Sequence, residues 1–187
     1  MKHAVVRRLG RPVLVAALTG GALAGGVTPA ALAAPASATA SPASVTASPA
    51  YATGVFGPFG YGGVKLGMSA KQARATKKIT AKAGWGPCTG WDLTASPTGR
   101  GEVGLFISKR RGVAVIFAPK GVKTPQGIGI GSTGTQLKKA YPDLKLSASG
   151  YPVVTAPGNP RASYSFLLSR GRIRQMILGL NNQDCVN

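Results

Sequence analysis

Apolar and polar positions divide the chain into three stretches. Pro12 to Ala34 is a nearly unbroken run of Val, Leu, Ala and Gly behind a basic, acid-free start that holds Lys2, Arg7, Arg8 and Arg11. Ala34 to Thr53 is almost only Ala, Ser, Pro, Thr and Val. Beyond Val55 the pattern becomes periodic. Leu105-Phe106-Ile107-Ser108 and Val113-Ala114-Val115-Ile116-Phe117 are apolar runs flanking the basic, glycine-ended turn Lys109-Arg110-Arg111-Gly112. Ser165-Phe166-Leu167-Leu168-Ser169 and Arg172-Ile173-Arg174-Gln175-Met176-Ile177-Leu178 flank Arg170-Gly171 in the same way. Each reads as a β-hairpin. Leu137, Ala140 and Tyr141 recur at the i, i+3, i+4 spacing of a helical face, and Pro142 stops that helix. A second helix is predicted from about Ala70 to Lys82. Ala73, Thr76, Ile79 and Thr80 form its inner stripe, with Lys71, Arg74, Lys78 and Lys82 outside.

Two segments repeat one another. Gly63-Val64-Lys65-Leu66-Gly67-Met68-Ser69-Ala70-Lys71-Gln72-Ala73 and Gly127-Ile128-Gly129-Ile130-Gly131-Ser132-Thr133-Gly134-Thr135-Gln136-Leu137 share one pattern. It is Gly, apolar, x, apolar, Gly, x, Ser/Thr, x, x, Gln, apolar. Ser69 with Gln72, and Thr133 with Gln136, have the spacing of capping boxes, in which hydroxyl and amide satisfy backbone donors at a helix start. Each start is followed by one of the two hairpins. The expected fold is therefore α+β, with two tandem helix-then-antiparallel-strands repeats, about 59–120 and 121–187, forming one sheet with helices on one face.

The two leading stretches add export to this picture. A basic start, an apolar run and the small-x-small site Ala31-Leu32-Ala33 make residues 1–33 a secretory signal peptide. The glycines and Pro29 within the run argue against a membrane helix, so no transmembrane segment is expected after cleavage. Residues 34–54 lack large apolar side chains to offset ordering entropy and read as a disordered linker. The single folded domain is 55–187, and the protein is expected to be secreted, extracellular or cell-wall associated.

The net charge is +19, of which the four bases of the signal region contribute four, leaving +15 for the mature chain. Its only acids are Asp92, Glu102, Asp143 and Asp184. Such an excess favours an acidic protein or an envelope polyanion as partner, or simply keeps a secreted protein soluble. The candidate contact patch comprises the turn bases Lys109, Arg110, Arg111 and Arg170 with the strand pair Arg172 and Arg174. A solvated sheet face is the alternative for these residues. Nucleic acid would be met only through nonspecific charge. The two cysteines, Cys88 and Cys185, are expected to form one disulfide closing a loop of 97 residues.

Catalytic chemistry finds little purchase. The only histidine, His3, leaves with the signal peptide, which removes Ser-His-Asp and Cys-His catalysis and most zinc sites. Four scattered carboxylates support neither a glycosidase pair nor a calcium site. Gly129-Ile130-Gly131-Ser132-Thr133-Gly134 is a literal G-x-G-x-x-G, but no acid lies about 20 residues on, so it reads as a turn and helix start rather than a dinucleotide site. No cofactor or metal is expected. Trp85, Trp91, Tyr51, Tyr61 and Tyr151 are stacking platforms or, more commonly, packing residues.

Leu66-Gly67-Met68-Ser69-Ala70-Lys71-Gln72-Ala73 resembles the Gly-Met-Thr-x-x-Gln/Glu-Val helix start of the secreted β-lactamase inhibitor proteins and the small outer-membrane assembly lipoproteins. Thr124-Pro125-Gln126-Gly127-Ile128-Gly129-Ile130-Gly131-Ser132 resembles a segment of secreted proteins of high-GC Gram-positive bacteria. The resemblance implies two repeats forming a concave sheet that grips a partner protein. The chain departs from the inhibitors in its basicity and in one cysteine pair spanning both repeats, and none of their contact residues is carried over. The expectation is an exported, non-enzymatic binding module for a protein or anionic cell-envelope partner. The alternatives are a structural envelope protein without a discrete ligand, or an unrecognised hydrolase.

Overall fold

A computed structural model of the chain describes residues 54–186. The expected signal peptide, 1–33, and all but the last residue of the expected linker, 34–54, lie outside the described residues, as does Tyr51. In chain order the elements are β1 (Gly60–Tyr61), β2 (Val64–Lys65), α1 (Ala70–Ala75), β3 (Ile79–Trp85), β4 (Cys88–Leu93), β5 (Leu105–Ser108), β6 (Gly112–Phe117), α2 (Gly134–Ala140), β7 (Lys145–Leu146), β8 (Pro152–Ala156), β9 (Asn159–Ser169) and β10 (Arg172–Leu180). β1 and β2 pair alone. The other eight form one antiparallel sheet in the order β3-β4-β5-β6-β10-β9-β8-β7.

This corrects the expected α+β class. The molecule is mostly β, and its two helices span only six and seven residues. The helix predicted from Ala70 to Lys82 ends at Thr76. There the Thr76 hydroxyl donates to the carbonyl of Ala73 at 2.6 Å, and Lys77 takes a left-handed φ of 57°. The remainder of that stretch becomes β3, which pairs with β4 across the turn Gly86-Pro87. In the second half β8 and the first part of β9 flank Pro157-Gly158. Both turns are two-residue hairpin connections in which glycine supplies the conformation the turn demands. Where one hairpin per repeat was expected, each helix is followed by four strands.

The two glycine-bearing starts hold their helices by the same device. Gly67, at φ 78°, donates to the carbonyl of Val113 at 2.9 Å, and Val113 donates to Met68 at 2.8 Å. Gly131, at φ 94°, donates to Ile173 at 2.8 Å, and Ile173 donates to Ser132 at 2.9 Å. Each start is thus laced to the first inward residue of the last strand in its half. Both capping boxes close. The Ser69 hydroxyl accepts from the amide of Gln72 at 3.2 Å and the Gln72 side chain accepts from the amide of Ser69 at 2.9 Å, with 3.2 and 2.8 Å for Thr133 and Gln136.

The core lies between the helices and one face of the sheet. Ala73 and Leu137, the buried residues of the two helices, join Phe56 and Val64 over Leu105, Ile107, Ile116, Phe166, Met176 and Leu178. Aromatic rings dominate beneath α2. Tyr141 lies 5.8 Å from Phe166 and 6.2 Å from Tyr164, which in turn lies 5.9 Å from Phe56. The buried Tyr164 hydroxyl donates to the carbonyl of Phe56 at 2.8 Å. Burial pushes the Tyr141 phenol up to about 12, although its hydrogen bond with Thr124 opposes the rise.

Candidate interaction surface

Strand alternation assigns each sheet residue to the core or to the opposite, helix-free face. With Leu178 opposite Ile116 and Met176 opposite Phe166 on the core side, Val115, Phe117, Ile177 and Gly179 fall on the open side. Pairing carries the open face on through Phe106 in β5, Ser163 and Ser165 in β9, and Val153 in β8. Bulges in the β3–β4, β5–β6 and β10–β9 pairings break the ladder, and bulges strengthen local twist. The open face carries a groove of about 480 Å³.

That groove contains no ionisable side chain except the phenol of Tyr151. Val115, Phe117, Tyr151, Val153, Leu167 and Ile177 supply its apolar area. Four serines (147, 149, 163 and 165) and the amides of Gln175, Asn181 and Gln183 supply neutral hydrogen-bonding groups. Tyr151 and Leu167, 45% and 37% exposed, are two of three large apolar side chains left in solvent among the described residues; the third is Leu146. In a domain of +15 this is a local exclusion of charge.

One wall of the groove is the C-terminal segment. Asn181 is held by its amide donation to Pro160 at 2.9 Å and by accepting from Ser163 at 2.8 Å. Gln183 accepts from the amides of Cys185 and Val186, and its own amide donates to the carbonyl of Val186. The segment is then tied to the first half of the sheet. Cys185 forms the expected disulfide with Cys88 on β4, with Cα atoms 5.7 Å apart. Asp184 pairs with Arg110 at 3.2 Å. Hydrogen bonds from Ser108 and Arg110 hold the Asp184 carboxyl below its ordinary range, against the smaller effect of desolvation.

The predicted contact patch is distributed rather than assembled. Lys109, Arg110 and Arg111 form the β5–β6 turn, while Arg170 belongs to the β9–β10 turn. Because Phe117 lies opposite Ile177, the starts of β6 and β10 sit about ten strand positions apart, roughly 33 Å. The two turns therefore occupy opposite ends of the sheet. Arg110 is paired with Asp184, and Arg172 donates to the carbonyl of Gly131 at 3.0 Å. Arg174, at the β10 bulge, lines an adjoining hollow of about 750 Å³ with Phe106, Lys120 and Glu102; it shares Phe117 and Gln175 with the groove.

The remaining candidates are structural in placement. Trp91 packs against the core and its indole donates to Thr89 at 2.8 Å, and Tyr61 lies 6.1 Å from Phe56. The G-x-G-x-x-G segment bends onto β10 and enters the seven-residue α2, with no parallel strand pair in the sheet. A Cβ at Gly129 would stand 2.6 Å from the carbonyl oxygen of Val122, so close backbone approach accounts for that glycine. Asp92, buried on the open side of β4, accepts from the hydroxyl and amide of Thr98 and the amide of Gly104, and pairs with Lys82 at 3.1 Å. Desolvation works to raise its pKa, but the bonds from Thr98 and Lys82 outweigh it and the carboxyl lies below its ordinary value. Among the described residues one cluster has the make-up of a metal site, Cys88, Asp184 and Cys185, and both its sulfurs are joined in the disulfide. No helix among the described residues is long and apolar enough to cross a membrane.

Sequence reasoning missed the groove because its members come from four strands, the β7–β8 connection and the tail. Only the β-branched run Val153-Val154-Thr155 before Pro157-Gly158 was a local signal that β8 existed. Comparison of the chain with protein-family models, curated proteins and solved structures gives no match.

Proposed function

We propose that the mature chain is an exported, non-enzymatic binding module whose open sheet face receives a partner protein. One observation carries the reading: a continuous apolar and neutral-polar groove, free of charged side chains, in a domain of net charge +15. Depletion of charge with aromatic enrichment is the composition of interface centres, and Tyr with Ser and Asn is the composition of adaptable recognition surfaces. The partner suited to this face presents an uncharged, partly apolar segment. The resemblance of residues 66–73 to the β-lactamase inhibitor proteins supports the same reading, since a gripping sheet is what that resemblance implies. Export is supported by the signal pattern of residues 1–33 together with the disulfide.

The test places a photo-crosslinking residue at Tyr151 and, separately, at Lys109, and exposes each purified mature protein to the culture envelope. A discrete crosslinked protein from position 151, absent from position 109 and abolished by Ile177→Arg, is the expected result. Equal crosslinking from both positions, or indifference to Ile177→Arg in a variant that keeps its circular dichroism, would reject the open face as the site.

A further inference from the structure

The helix-bearing face differs in charge from the groove on the open face, which is lined by no charged side chain. α1 and α2 cover the same side of the sheet, with Ala73 and Leu137 turned into the common core. Lys71 on α1 and Lys139 on α2 lie opposite those anchors, and Arg74 and Lys138 flank them, all exposed; Lys77 and Lys78 continue the set just past α1. None of these six cations takes part in an ion pair among the described residues. The acids that might neutralise them lie elsewhere. Asp92 and Asp184 are paired with Lys82 and Arg110, and Glu102 lines the hollow by Arg174. Only Asp143, just beyond α2, is an acid on this layer.

We propose that the helix-bearing face is a docking surface for a linear, phosphate-bearing polyanion. Charge complementarity selects the occupant. Four of the unpaired cations stand on the two short helices and two just past α1, with α1 starting beside Val113 and α2 beside Ile173. Five of the six are lysines, compact point charges on flexible stems, and a set spread along the sheet suits repeated phosphates better than a single carboxylate. The exposed residues of α1 and α2 include no large hydrophobic side chain, so the layer has nothing to insert into a bilayer, as interfacial helices do. The proposal is independent of what the open face binds. A domain held to a polyanion by its helices would keep its groove turned away from that polymer.

The probe is linear inorganic polyphosphate, titrated into the mature protein over a range of salt concentrations. One variant replaces Lys71, Arg74, Lys78, Lys138 and Lys139 with Gln. A control replaces the same number of exposed bases outside the layer, Lys109, Arg111, Lys120, Lys145 and Arg170. Both sets are exposed, and an unchanged melting temperature establishes that each variant folds. The helix-layer variant is expected to lose about tenfold or more in affinity with a shallower salt dependence, and the control less than about threefold. A third variant, carrying Arg at Lys71, Lys78, Lys138 and Lys139, should bind like the original. Equal losses in the helix-layer variant and the control, or no polyphosphate binding at all, would overturn the proposal, because the charge would then act in bulk or not at all. Vesicles of phosphatidylglycerol form a separate arm. Binding to them as tight as to polyphosphate, and lost in the same helix-layer variant, would also overturn it in favour of a lipid surface.

Discussion

The two halves of the sheet begin alike and are held together differently. Each opens on a glycine laced to its last strand and a capped helix. Under α2 the second half then packs Leu137, Tyr141, Tyr164 and Phe166. The first half offers only Ala73 from its helix, and its outer strands, Ile79–Trp85 and Cys88–Leu93, are rich in Ala, Thr and Gly. Their core contribution is Leu93, with Ile79 and Trp91 packed against it, less than the large side chains gathered under α2. That half carries the polar and covalent ties instead: Lys82 with Asp92, Arg110 with Asp184, and Cys88 with Cys185. Where fewer large side chains pack, directional and covalent bonds add to what holds the register.

Opening the disulfide should break this contrast most strongly. Closing a loop of 97 residues is worth about 4 kcal/mol in the chain-entropy account. Cys88→Ser with Cys185→Ser is expected to lower stability by that order in denaturant titration. Amide exchange should rise first in β3, β4 and the C-terminal segment, while β9 stays protected. Uniform loss of protection would show that the two halves do not differ in this way.

Leu137→Ala tests the packed half. The side chain is fully buried, and truncation of such a leucine costs about 3 kcal/mol. Here protection should fall first in β9 and β10, the reverse of the disulfide variant.

The Asp92 cluster sharpens the polar side of the comparison. Because the folded carboxyl lies below its ordinary value, its contribution is fully present above the unfolded pKa of about 3.9 and is lost as pH falls through the lower, folded value. Asp92→Asn should cost about 2 kcal/mol at neutral pH. The variant should also lose part of the acid destabilisation expected below about pH 4 in the original protein. An unchanged acid limb in melting experiments would remove Asp92 from this role.

The smallest effects come from the feature the halves share. Ser69→Ala and Thr133→Ala should each cost about 1 kcal/mol. Equal costs would show that the cap acts locally. A larger cost at Thr133 would show that the cap also positions Leu137 and Tyr141 for packing.

What was legible in the sequence tracks the range of the interaction. The strands 105–108 and 172–178 were visible because apolar runs bracket turns within a few residues. The caps were visible because hydroxyl and amide stand three positions apart. The β3–β4 hairpin was not, since Ala, Thr and Lys at positions 80–83 suit a weak helix as well as an edge strand, and pairing with Leu93 and Trp91 decided the matter. The hairpin bases looked equivalent because they occupy matching places in two similar units. Antiparallel pairing of β6 with β10 reverses one unit against the other, so matching places become opposite ends.

The sequence by itself determined the local punctuation of this protein: two capped helix starts, two basic hairpin turns, one possible cysteine pair and an excess of positive charge. Each depends on residues within a few positions of one another or on counting. The tertiary structure alone decided that eight strands join edge to edge, and that the helix-free face gathers serines, amides and apolar side chains into a groove without charge. Those outcomes depend on pairing register between strands as far apart as Val115 and Gly179. A one-position slip in such a register moves every side chain to the opposite face, and no local spacing in the chain encodes it.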